Sequence, residues 1–584
     1  MINGGIKVSN SFVLQIGIIL ATVILQCSIP LYAKGLHVDE VYDPARILRV
    51  EITLPPSDWD QIRRQVRTMP QALGEARKTG EATSPFSWVD AHVEINGIAF
   101  EDASIRKKGF IGSLDSDRPS LKVRLPKSGT APKNGIVHQL TLNNNKQDRA
   151  LVSQTMAYSL FNQAGLVAPR TSYATVSVNG KALGVYTNVE PARQPLVQRG
   201  FGTDKGTLYE GTIVDFYQGW KTGFERKFGP DEAGREKIGQ LIDALDSDDN
   251  TLVAAVGEVV DLDHFLRFWA LESLIGFWDG YSGNQNNYFC YHNPKTDRLY
   301  FLPWGADSVF TSRGMMDRGG PRSVKARGRL AGKLYQVPEI RARYRTIMLD
   351  LLETHWNEEQ LAKESERVEA LVSNQLHPKQ EEGFQRSIDR TRDFFSSRRE
   401  ELMAELEHGA PEVENGSSEP MYFTTTGRIE GEISGTWHTD GPDDASSVGT
   451  AEVKVFLEGE EVEFEKLGAH AIQGRFGFRG PGQPNLNIVG KRTSDGETVT
   501  LMIMVDEDSF RPADAPVNMG GMMREGQGFG FGPGSMKPID GKIQFSAAAR
   551  EEGAPFKAKL SGQIMKMVGD FFGRRGKSQP RNRR

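Results

Sequence analysis

The sequence predicts an α+β region followed by a smaller all-β region, a sandwich or a barrel. Two Asn-Gly pairs, at residues 96–97 and 179–180, lie between alternating segments and predict β-hairpins in the first part of the chain. Apolar residues recur at helical spacing within residues 265–275 and along residues 338–406. Beyond residue 420, short alternating segments are separated by glycine-rich turns, which is typical of an all-β domain.

The length and the changes in composition predict the domain boundaries. A chain of 584 residues exceeds what one hydrophobic core usually serves, so at least two domains are expected. Residues 408–420, HGAPEVENGSSEP, have the proline, glycine, serine and acid content of a linker. We therefore predict one domain at residues 45–407 and an all-β domain at residues 421–565. Residues 566–584 are expected to be a disordered basic tail, because the last eleven residues carry six positive charges and no apolar side chain.

The N-terminus has the pattern of a secretory signal peptide, which we place at residues 1–33. Lys7 precedes an apolar run from Phe12 to Leu25, and cleavage is predicted after Ala33. The run is shorter than the about 20 residues that a membrane helix needs, so an uncleaved anchor is the less favoured alternative. The protein is therefore predicted to be exported to a periplasm, to the cell surface or out of the cell.

Charge and cysteine content narrow the functional classes. The formal net charge is -5, which argues against nucleic acid as a partner because phosphate backbones select a positive field. Cys290 is the one thiol left after removal of the signal peptide, so no intramolecular disulfide is expected. The basic tail is a candidate for attracting an anionic envelope or an acidic substrate, and a solubilising terminus is the alternative.

Residues 277–310 contain the side chains that point to chemistry. Asp279 and Asp307 flank an amide-rich loop and two short aromatic segments. Phosphoryl transfer needs a carboxylate near the accepting hydroxyl and oxygen ligands for magnesium, because catalysis there is mostly positioning and charge neutralisation. Asp279, Asn287 and Asp307 supply these groups. A hydrolase that uses the two aspartates as paired carboxylates is the alternative chemistry.

Several segments of the chain occur together in an ordered pattern. Residues 279–281 read DGY, residues 286–291 read NNYFCY, and RLYFLPWGADSVF follows. Upstream lie GLVAPR, VNGKALGVYTNVE and LYEG, in that order. This pattern resembles the spore-coat protein H kinases, the CotH family, and the resemblance covers about residues 45–400.

The resemblance implies an atypical protein-kinase-like fold that binds ATP with Mg²⁺ and phosphorylates serine or threonine of a protein partner. By position, Asp279 matches the catalytic-loop aspartate, and Asn287 matches the asparagine of that loop, which binds nucleotide and metal. The segment Pro303–Trp304 matches the place where a metal-binding aspartate is expected. Asp307 is the nearest carboxylate after that segment, and we expect it to bind the metal.

The chain departs from the family pattern directly after Pro303–Trp304. Gly305 stands where the family commonly has aspartate, and Asp307 follows two residues later. On a strand, a shift of two residues would keep the side chain on the same face and move it by about 6–7 Å. If Gly305 removes metal binding, the alternative function is that of a pseudokinase, a non-catalytic envelope or surface protein that keeps the scaffold for binding.

A kinase-like site also needs a cation near the α- and β-phosphates. Lys122, in the strand-like segment PSLKVRL, is the first candidate. Its competitors lie in the segment RKKGFIGS and are Arg106, Lys107 and Lys108. Glu190, at the end of the second hairpin, is expected to pair with that lysine or to border the adenine pocket, and a solvated carboxylate is the alternative.

Overall fold

The structure is a computed structural model in which helices are combined with three β-sheets. It describes Met1 and residues 35–80, 84–126, 135–311, 320–442, 444–474, 483–526 and 536–569. The predicted signal peptide, apart from Met1, lies outside the described residues, and so does the tail beyond residue 569.

The first sheet is a closed barrel of seven strands. They are β1 (Ile47–Thr53), β2 (Val89–Ile95), β3 (Ile98–Lys108), β4 (Ser120–Arg124), β5 (Gln139–Asn143), β6 (Thr171–Val178) and β7 (Lys181–Val189). Strand β1 pairs in parallel with β6 and so closes the barrel. Both predicted hairpins are observed, since Asn96, Gly97, Asn179 and Gly180 have the positive φ angles of tight Asn-Gly turns.

A second sheet has four strands, all of which follow the barrel strands along the chain. Its strands are β8 (Thr207–Gly211), β9 (Glu225–Phe228), β10 (Tyr288–Asn293) and β11 (Arg298–Pro303), in the order β11–β10–β8–β9. The aromatic segments predicted from the sequence form the antiparallel pair β10 and β11. Cys290, in the middle of β10, is fully buried, and burial raises the pKa of its thiol, so it packs as a small apolar side chain.

The helices surround the second sheet. They are α1 (Val38–Val41), α2 (Pro56–Arg64), α3 (Met69–Leu73), α4 (Ser153–Gln163), α5 (Gln194–Phe201), α6 (Asp231–Ala244), α7 (Asp249–Val259), α8 (Leu262–Leu274), α9 (Tyr281–Asn284), α10 (Arg329–Tyr335), α11 (Pro338–Thr354), α12 (Glu358–Val372) and α13 (Pro378–Leu406). Asp261 caps α8 by accepting a hydrogen bond from the His264 N–H at 3.0 Å. Helix α8 is buried along most of its length, as its sequence predicts. Within the described ranges, no helix is long and apolar enough to cross a membrane.

The third sheet follows the helices and has nine strands. They are β12 (Tyr422–His438), β13 (Thr450–Leu457), β14 (Glu460–Val462), β15 (Phe464–Gln473), β16 (Pro484–Arg492), β17 (Thr498–Met504), β18 (Val517–Glu525), β19 (Met536–Ala547) and β20 (Pro555–Val568). Strand β12 pairs with both β15 and β20, which closes the sheet into a ring. The predicted start of the basic tail at residue 566 is wrong, because Met567 still pairs with Phe423 in this sheet.

The third sheet is packed against the preceding part of the chain. Ala72 and Leu73 of α3 share an apolar cluster with Met421, Phe423 and Met565. An ion pair of 3.0 Å joins Arg63 of α2 to Asp508. The connecting residues 408–420 are also held, since the Tyr335 hydroxyl donates to the carbonyl of Pro411 and the Gln285 amide donates to the carbonyl of Ser418. The ring thus lies against the region that contains the predicted site.

Candidate functional site

Asp279 lies in the turn between α8 and α9, and a buried carboxylate supports this turn. The two oxygens of Glu272 accept hydrogen bonds from the backbone N–H groups of Tyr281 and Ser282, each at 2.8 Å. Burial raises the pKa of Glu272 to about 7, although these hydrogen bonds oppose the shift. Gly280 makes room for the contact, because a Cβ there would lie 2.3 Å from Glu272 Oε1. The backbone that follows Asp279 is therefore fixed.

Three asparagines hold the carboxylate of Asp279. The Nδ2 atoms of Asn284 and Asn286 donate to Oδ1, at 2.7 and 3.2 Å. The Nδ2 atom of Asn287 donates to Oδ2 at 2.8 Å. Burial raises the pKa of Asp279, and the three amide donors oppose that shift only in part. The amide-rich loop thus orients a carboxylate whose raised pKa suits it to accept a proton from a hydroxyl group.

Gly305 is required by its contact with Asn287. It follows the last residue of β11, Pro303, and its φ of +54° lies in the left-handed region. A Cβ at residue 305 would lie 2.4 Å from Oδ1 of Asn287. Residues 305–307 lie beyond the end of β11, so the shift considered for a strand in the sequence analysis does not apply. A side chain at residue 305 would displace the amide of Asn287, and Asp307 is the next carboxylate along this backbone.

Asp307 lies close enough to Asp279 for the two charges to interact. Burial raises the pKa of Asp307 to about 6, Lys108 opposes the shift, and the charge of Asp279 adds to it. The Nε2 atom of Gln147 donates to Oδ1 of Asp307 at 3.2 Å. The structure therefore brings the two predicted aspartates and Asn287 together. It adds Gln147, which nothing in the sequence pattern singles out.

Lys108, at the end of β3, connects the aspartates to the barrel. Its Nζ atom donates to Oδ1 of Asn143 and lies 5.9 Å from the ring centre of Trp304. Burial lowers the pKa of Lys108 to about 8, and the carboxylates of Asp307 and Glu210 oppose this shift. Lys108 is therefore the lysine that interacts directly with the Asp307 end of the site.

Lys122 belongs to the same cluster of charges as Lys108. It pairs across β3 and β4 with Arg106, so these two side chains share a face of the sheet. Burial lowers the pKa of Lys122 to about 7, and the cations of Lys227, Arg106 and Lys108 lower it further. Glu210 opposes the shift. The first candidate, Lys122, and two of its competitors, Arg106 and Lys108, thus form one basic cluster instead of excluding each other.

Two other candidates lie outside this cluster. Lys107 points to the opposite side of β3, where its Nζ atom donates to a backbone carbonyl of α2 at 2.5 Å. Glu190 is buried and forms ion pairs with Arg170 at 2.7 Å and with Arg199 at 2.8 Å. Burial would raise the pKa of Glu190, but the two arginines lower it overall. The expected pairing of Glu190 with Lys122 is therefore wrong, and so is the solvated alternative.

Glu210 is the acidic residue of the site that the sequence prediction missed. It lies on β8 and pairs with Nζ of Lys227, which also contacts Glu225 at 2.8 Å. Burial would raise the pKa of Glu210, but the charges of Lys227 and Lys122 lower it overall. The segment LYEG could have identified Glu210, because a glutamate within a buried strand needs a charged partner.

The donor atoms fit a magnesium ion. Mg²⁺ is usually held in proteins by one or two carboxylates together with substrate phosphates and water. Asp279 and Asp307 are two such carboxylates, and Oδ1 of Asn287 faces Gly305 next to them. In the part of the chain that the structure describes, no group of three or more His, Cys, Asp or Glu side chains is arranged as a metal cage. Burial raises the pKa of both aspartates, so a nearby cation would favour their ionised forms.

The site lies within the part of the chain that is similar to a known protein family. A family model described as CotH kinase protein matches residues 105–402. The matched range is just over half of the chain and includes the aspartates, the asparagines, the lysines and Glu210 described above. The third sheet lies beyond the matched range.

Individual relatives are distant. The chain is 22% identical to the inner spore coat protein H of Bacillus subtilis over 286 residues, which are 46% of this chain and 78% of that protein. It is 23% identical to Invasin CotH2 of Rhizopus delemar over 195 residues, 30% of this chain and 32% of the invasin. It is 25% identical to an inner spore coat protein H-like protein of Bacillus subtilis over 223 residues, 38% of this chain and 64% of that protein. The chain thus spans about a third of the invasin.

Proposed function

Because the chain belongs to the CotH family, we propose that it is an exported kinase that transfers the γ-phosphate of ATP to serine or threonine of a protein partner. The observation that carries the proposal is the arrangement of Asp279, Asn287 and Asp307 beside the basic face of Lys108 and Lys122. We also propose that residues 47–406 form a kinase-like fold. Its lysines are on barrel strands, and its aspartates are on the segments that follow α8 and β11.

Asp279 is assigned the role of catalytic base. Its carboxylate accepts hydrogen bonds from three amide donors, and Glu272 holds the backbone that follows it. The orientation of the carboxylate is therefore fixed before substrate binds. The raised pKa of Asp279 makes it a better proton acceptor than an ordinary aspartate, provided that it is ionised. In phosphoryl transfer such a carboxylate accepts the proton of the attacking hydroxyl.

Asp307 and Asn287 are assigned to the metal. When bound, Mg²⁺ would neutralise charge on the β- and γ-phosphates. Gln147 orients the Asp307 carboxylate through its hydrogen bond of 3.2 Å. Gly305 leaves Oδ1 of Asn287 uncovered, because a side chain there would occupy the same space. Asp307 follows Gly305 in the chain, and Asn287 packs against Gly305, so the two proposed oxygen ligands lie on either side of this glycine.

Lys108 and Lys122 are assigned to the phosphates. Burial lowers the pKa of both lysines, to about 8 and about 7, so an incoming anion that restores their charge gains a strong electrostatic interaction. Glu210 interacts with both lysines, so it is the carboxylate partner of the phosphate-binding lysine, the role that the sequence analysis assigned to Glu190. A buried carboxylate beside a phosphate-binding lysine fixes the lysine in position in protein kinases.

The pseudokinase alternative depended on Gly305. The contact of Gly305 with Asn287 gives that glycine a packing reason, which favours the kinase over the pseudokinase alternative. We therefore keep a single function. Export is proposed from the signal pattern at residues 1–33, and attraction of an anionic envelope or an acidic substrate to the basic tail stays a proposal from its charge.

The test is a phosphate-transfer assay with matched variants. The purified chain is incubated with Mg²⁺, ATP labelled on the γ-phosphate and serine-containing peptides, alongside Asp279→Asn, Asp307→Asn and Asp102→Asn. Asp102 is an exposed aspartate on β3 and serves as the control. We expect transfer by the wild type and Asp102→Asn, and a loss of at least about 100-fold in the other two variants. Absence of both transfer and nucleotide binding in the wild type would refute the proposal.

A further inference from the structure

Two connected cavities beside Asp307 are rich in arginine. The larger has a volume of about 680 Å³ and is lined by Asp307 together with Arg149 and Arg390. The smaller has a volume of about 300 Å³ and is lined by Arg149, Gly383, Arg386, Ser387 and Arg390. The two cavities share Arg149, Ser387 and Arg390, so they form one continuous depression. We name it the arginine trough, after Arg149, Arg386 and Arg390.

Two guanidinium groups of the arginine trough, those of Arg149 and Arg386, lie close together at a break in α13. Helical geometry is interrupted at Glu382 and Gly383, and Gly383 has a φ of +83°. A Cβ on Gly383 would lie 3.4 Å from Nη1 of Arg149 and 3.6 Å from Nη2 of Arg386. Arg149, from the loop before α4, and Arg386, from α13, thus both lie near Gly383. Their mutual repulsion would be relieved by an anion placed between them.

No carboxylate of the described residues pairs with these arginines. All three side chains are exposed, and none of them forms an ion pair within the described ranges. The smaller cavity has no acidic lining residue. The larger cavity has three, which are Asp148, Asp307 and Asp393. Asp148 is buried and accepts a hydrogen bond from the Ser153 N–H at 2.8 Å, so it is engaged in holding the start of α4. Positive charge is therefore concentrated in the smaller cavity.

The arginine trough borders the proposed site without overlapping its basic face. Gln147 donates to Asp307, and Arg149 follows it by two residues in the same loop. Neither Lys108 nor Lys122 lines either cavity. The trough therefore offers an anion site separate from the lysines that we assign to the nucleotide. Its concave form fits side chains of an extended peptide better than a flat bilayer surface.

We infer that the arginine trough binds anionic side chains, carboxylates or phosphates, of the protein segment that carries the accepting serine or threonine. Guanidinium groups suit both anions because their parallel N–H donors match two oxygens at once. The acceptor part of this inference rests on the proposed kinase function, whereas the anion binding does not. An acidic or already phosphorylated segment would thus be held next to Asp307 and Asp279.

Peptide binding without nucleotide tests the inference independently of phosphate transfer. Three fluorescent peptides share one serine and differ in their flanks, which are glutamate, phosphoserine or glutamine. Their affinities for the purified chain are measured by anisotropy, for the wild type, for the double variant Arg386→Ala/Arg390→Ala and for Arg298→Ala. Arg298 is an exposed arginine at the far end of β11 and is the matched control. The thermal midpoint of each variant shows that it remains folded.

The expected result is that the wild type and Arg298→Ala bind one or both anionic peptides about ten-fold more tightly than the glutamine peptide. The double variant loses this preference, and added salt weakens it in the wild type. The two anionic peptides show whether carboxylate or phosphate is preferred. Equal binding of all three peptides would overturn the inference, as would retention of the preference in the double variant. Competition by MgATP together with weaker MgATP binding in the double variant would also overturn it, because the trough would then belong to the nucleotide site.

The outcome for the kinase function is read separately. Phosphate transfer with no preference for anionic flanks leaves the kinase proposal intact and rejects the trough. Anionic preference that depends on Arg386 and Arg390, with neither transfer nor nucleotide binding, supports the trough and rejects the kinase proposal.

Discussion

Replacing Gly305 by alanine tests how the site is built. The substitution places a Cβ 2.4 Å from Oδ1 of Asn287 at a φ of +54°. A non-glycine residue in the left-handed region costs about 1–2 kcal/mol. Asn287 must also move, which weakens its hydrogen bonds of 2.8 and 3.1 Å to Asp279. A bond to a charged group contributes about 1.5–3 kcal/mol, so together with the backbone cost we expect Gly305→Ala to cost about 2.5–5 kcal/mol in total.

The matched control is Gly165→Ala. Gly165 also has a positive φ, of +78°, but no heavy atom lies within 4 Å of the position of its Cβ. It should therefore incur only the backbone cost of about 1–2 kcal/mol. Denaturant-induced unfolding gives the stabilities of both variants, and calorimetry gives their MgATP affinities. Gly305→Ala should be the less stable variant and should lose MgATP affinity and phosphate transfer, whereas Gly165→Ala should keep both.

The same reasoning applies to the residue that the family pattern favours. Gly305→Asp should lower activity and not raise it, because the larger side chain meets Asn287 in the same way. If Gly305→Ala were as stable and as active as Gly165→Ala, the packing explanation of Gly305 would be refuted. Higher activity of Gly305→Asp would show that the wild type does lack a ligand at residue 305.

Three further predictions concern charged groups. Glu190→Gln should lower the free energy of unfolding by about 1–3 kcal/mol, since its two arginines lose their charged partner. It should leave MgATP affinity unchanged, and a weaker MgATP affinity would show that Glu190 belongs to the nucleotide site. The pKa of Asp307 is raised from 3.8 to about 6, so the metal-free fold loses stability as the pH rises between these two values, and the loss is complete above pH 6. Asp307→Asn should therefore raise the thermal midpoint at pH 8 but not at pH 4, and equal effects at both pH values would contradict the assignment. The pKa of Lys122 is lowered to about 7 and that of Lys108 to about 8, so MgATP binding should weaken above this pH range. Binding at pH 8 should be accompanied by proton uptake, which calorimetry in two buffers measures. Binding that does not depend on pH would exclude these lysines from the phosphate site.

Features that depend on local sequence were predictable. The Asn-Gly hairpins at residues 96–97 and 179–180 follow from the φ angles that these pairs adopt. The cap of α8 by Asp261 and the burial of α8 follow from residue type and apolar spacing. Asp279 and Asn287 are eight residues apart in one loop, so their contact also depends on short-range geometry. Such features need no knowledge of the rest of the fold.

Features that depend on contacts between distant segments were not predictable. Closure of the barrel requires the parallel pairing of β1 with β6, which joins strands separated by most of the barrel sequence. Glu190 finds its arginines in neighbouring segments, and a strand-end carboxylate gives no indication of which cation it will meet. The glycine at residue 305 is explained by the amide of Asn287, which follows from the pairing of β10 with β11.

The central claim is transfer of a phosphoryl group, and the position of the label tests it most directly. The purified chain is given Mg²⁺ and serine-containing peptides with ATP labelled on either the γ- or the α-phosphate, and the peptide products are identified by mass spectrometry. We expect phosphoserine that carries the γ-label, no α-label in the peptide, and loss of the product in Asp279→Asn. Transfer of the α-label, or phosphoserine that forms equally well in Asp279→Asn, would contradict the account.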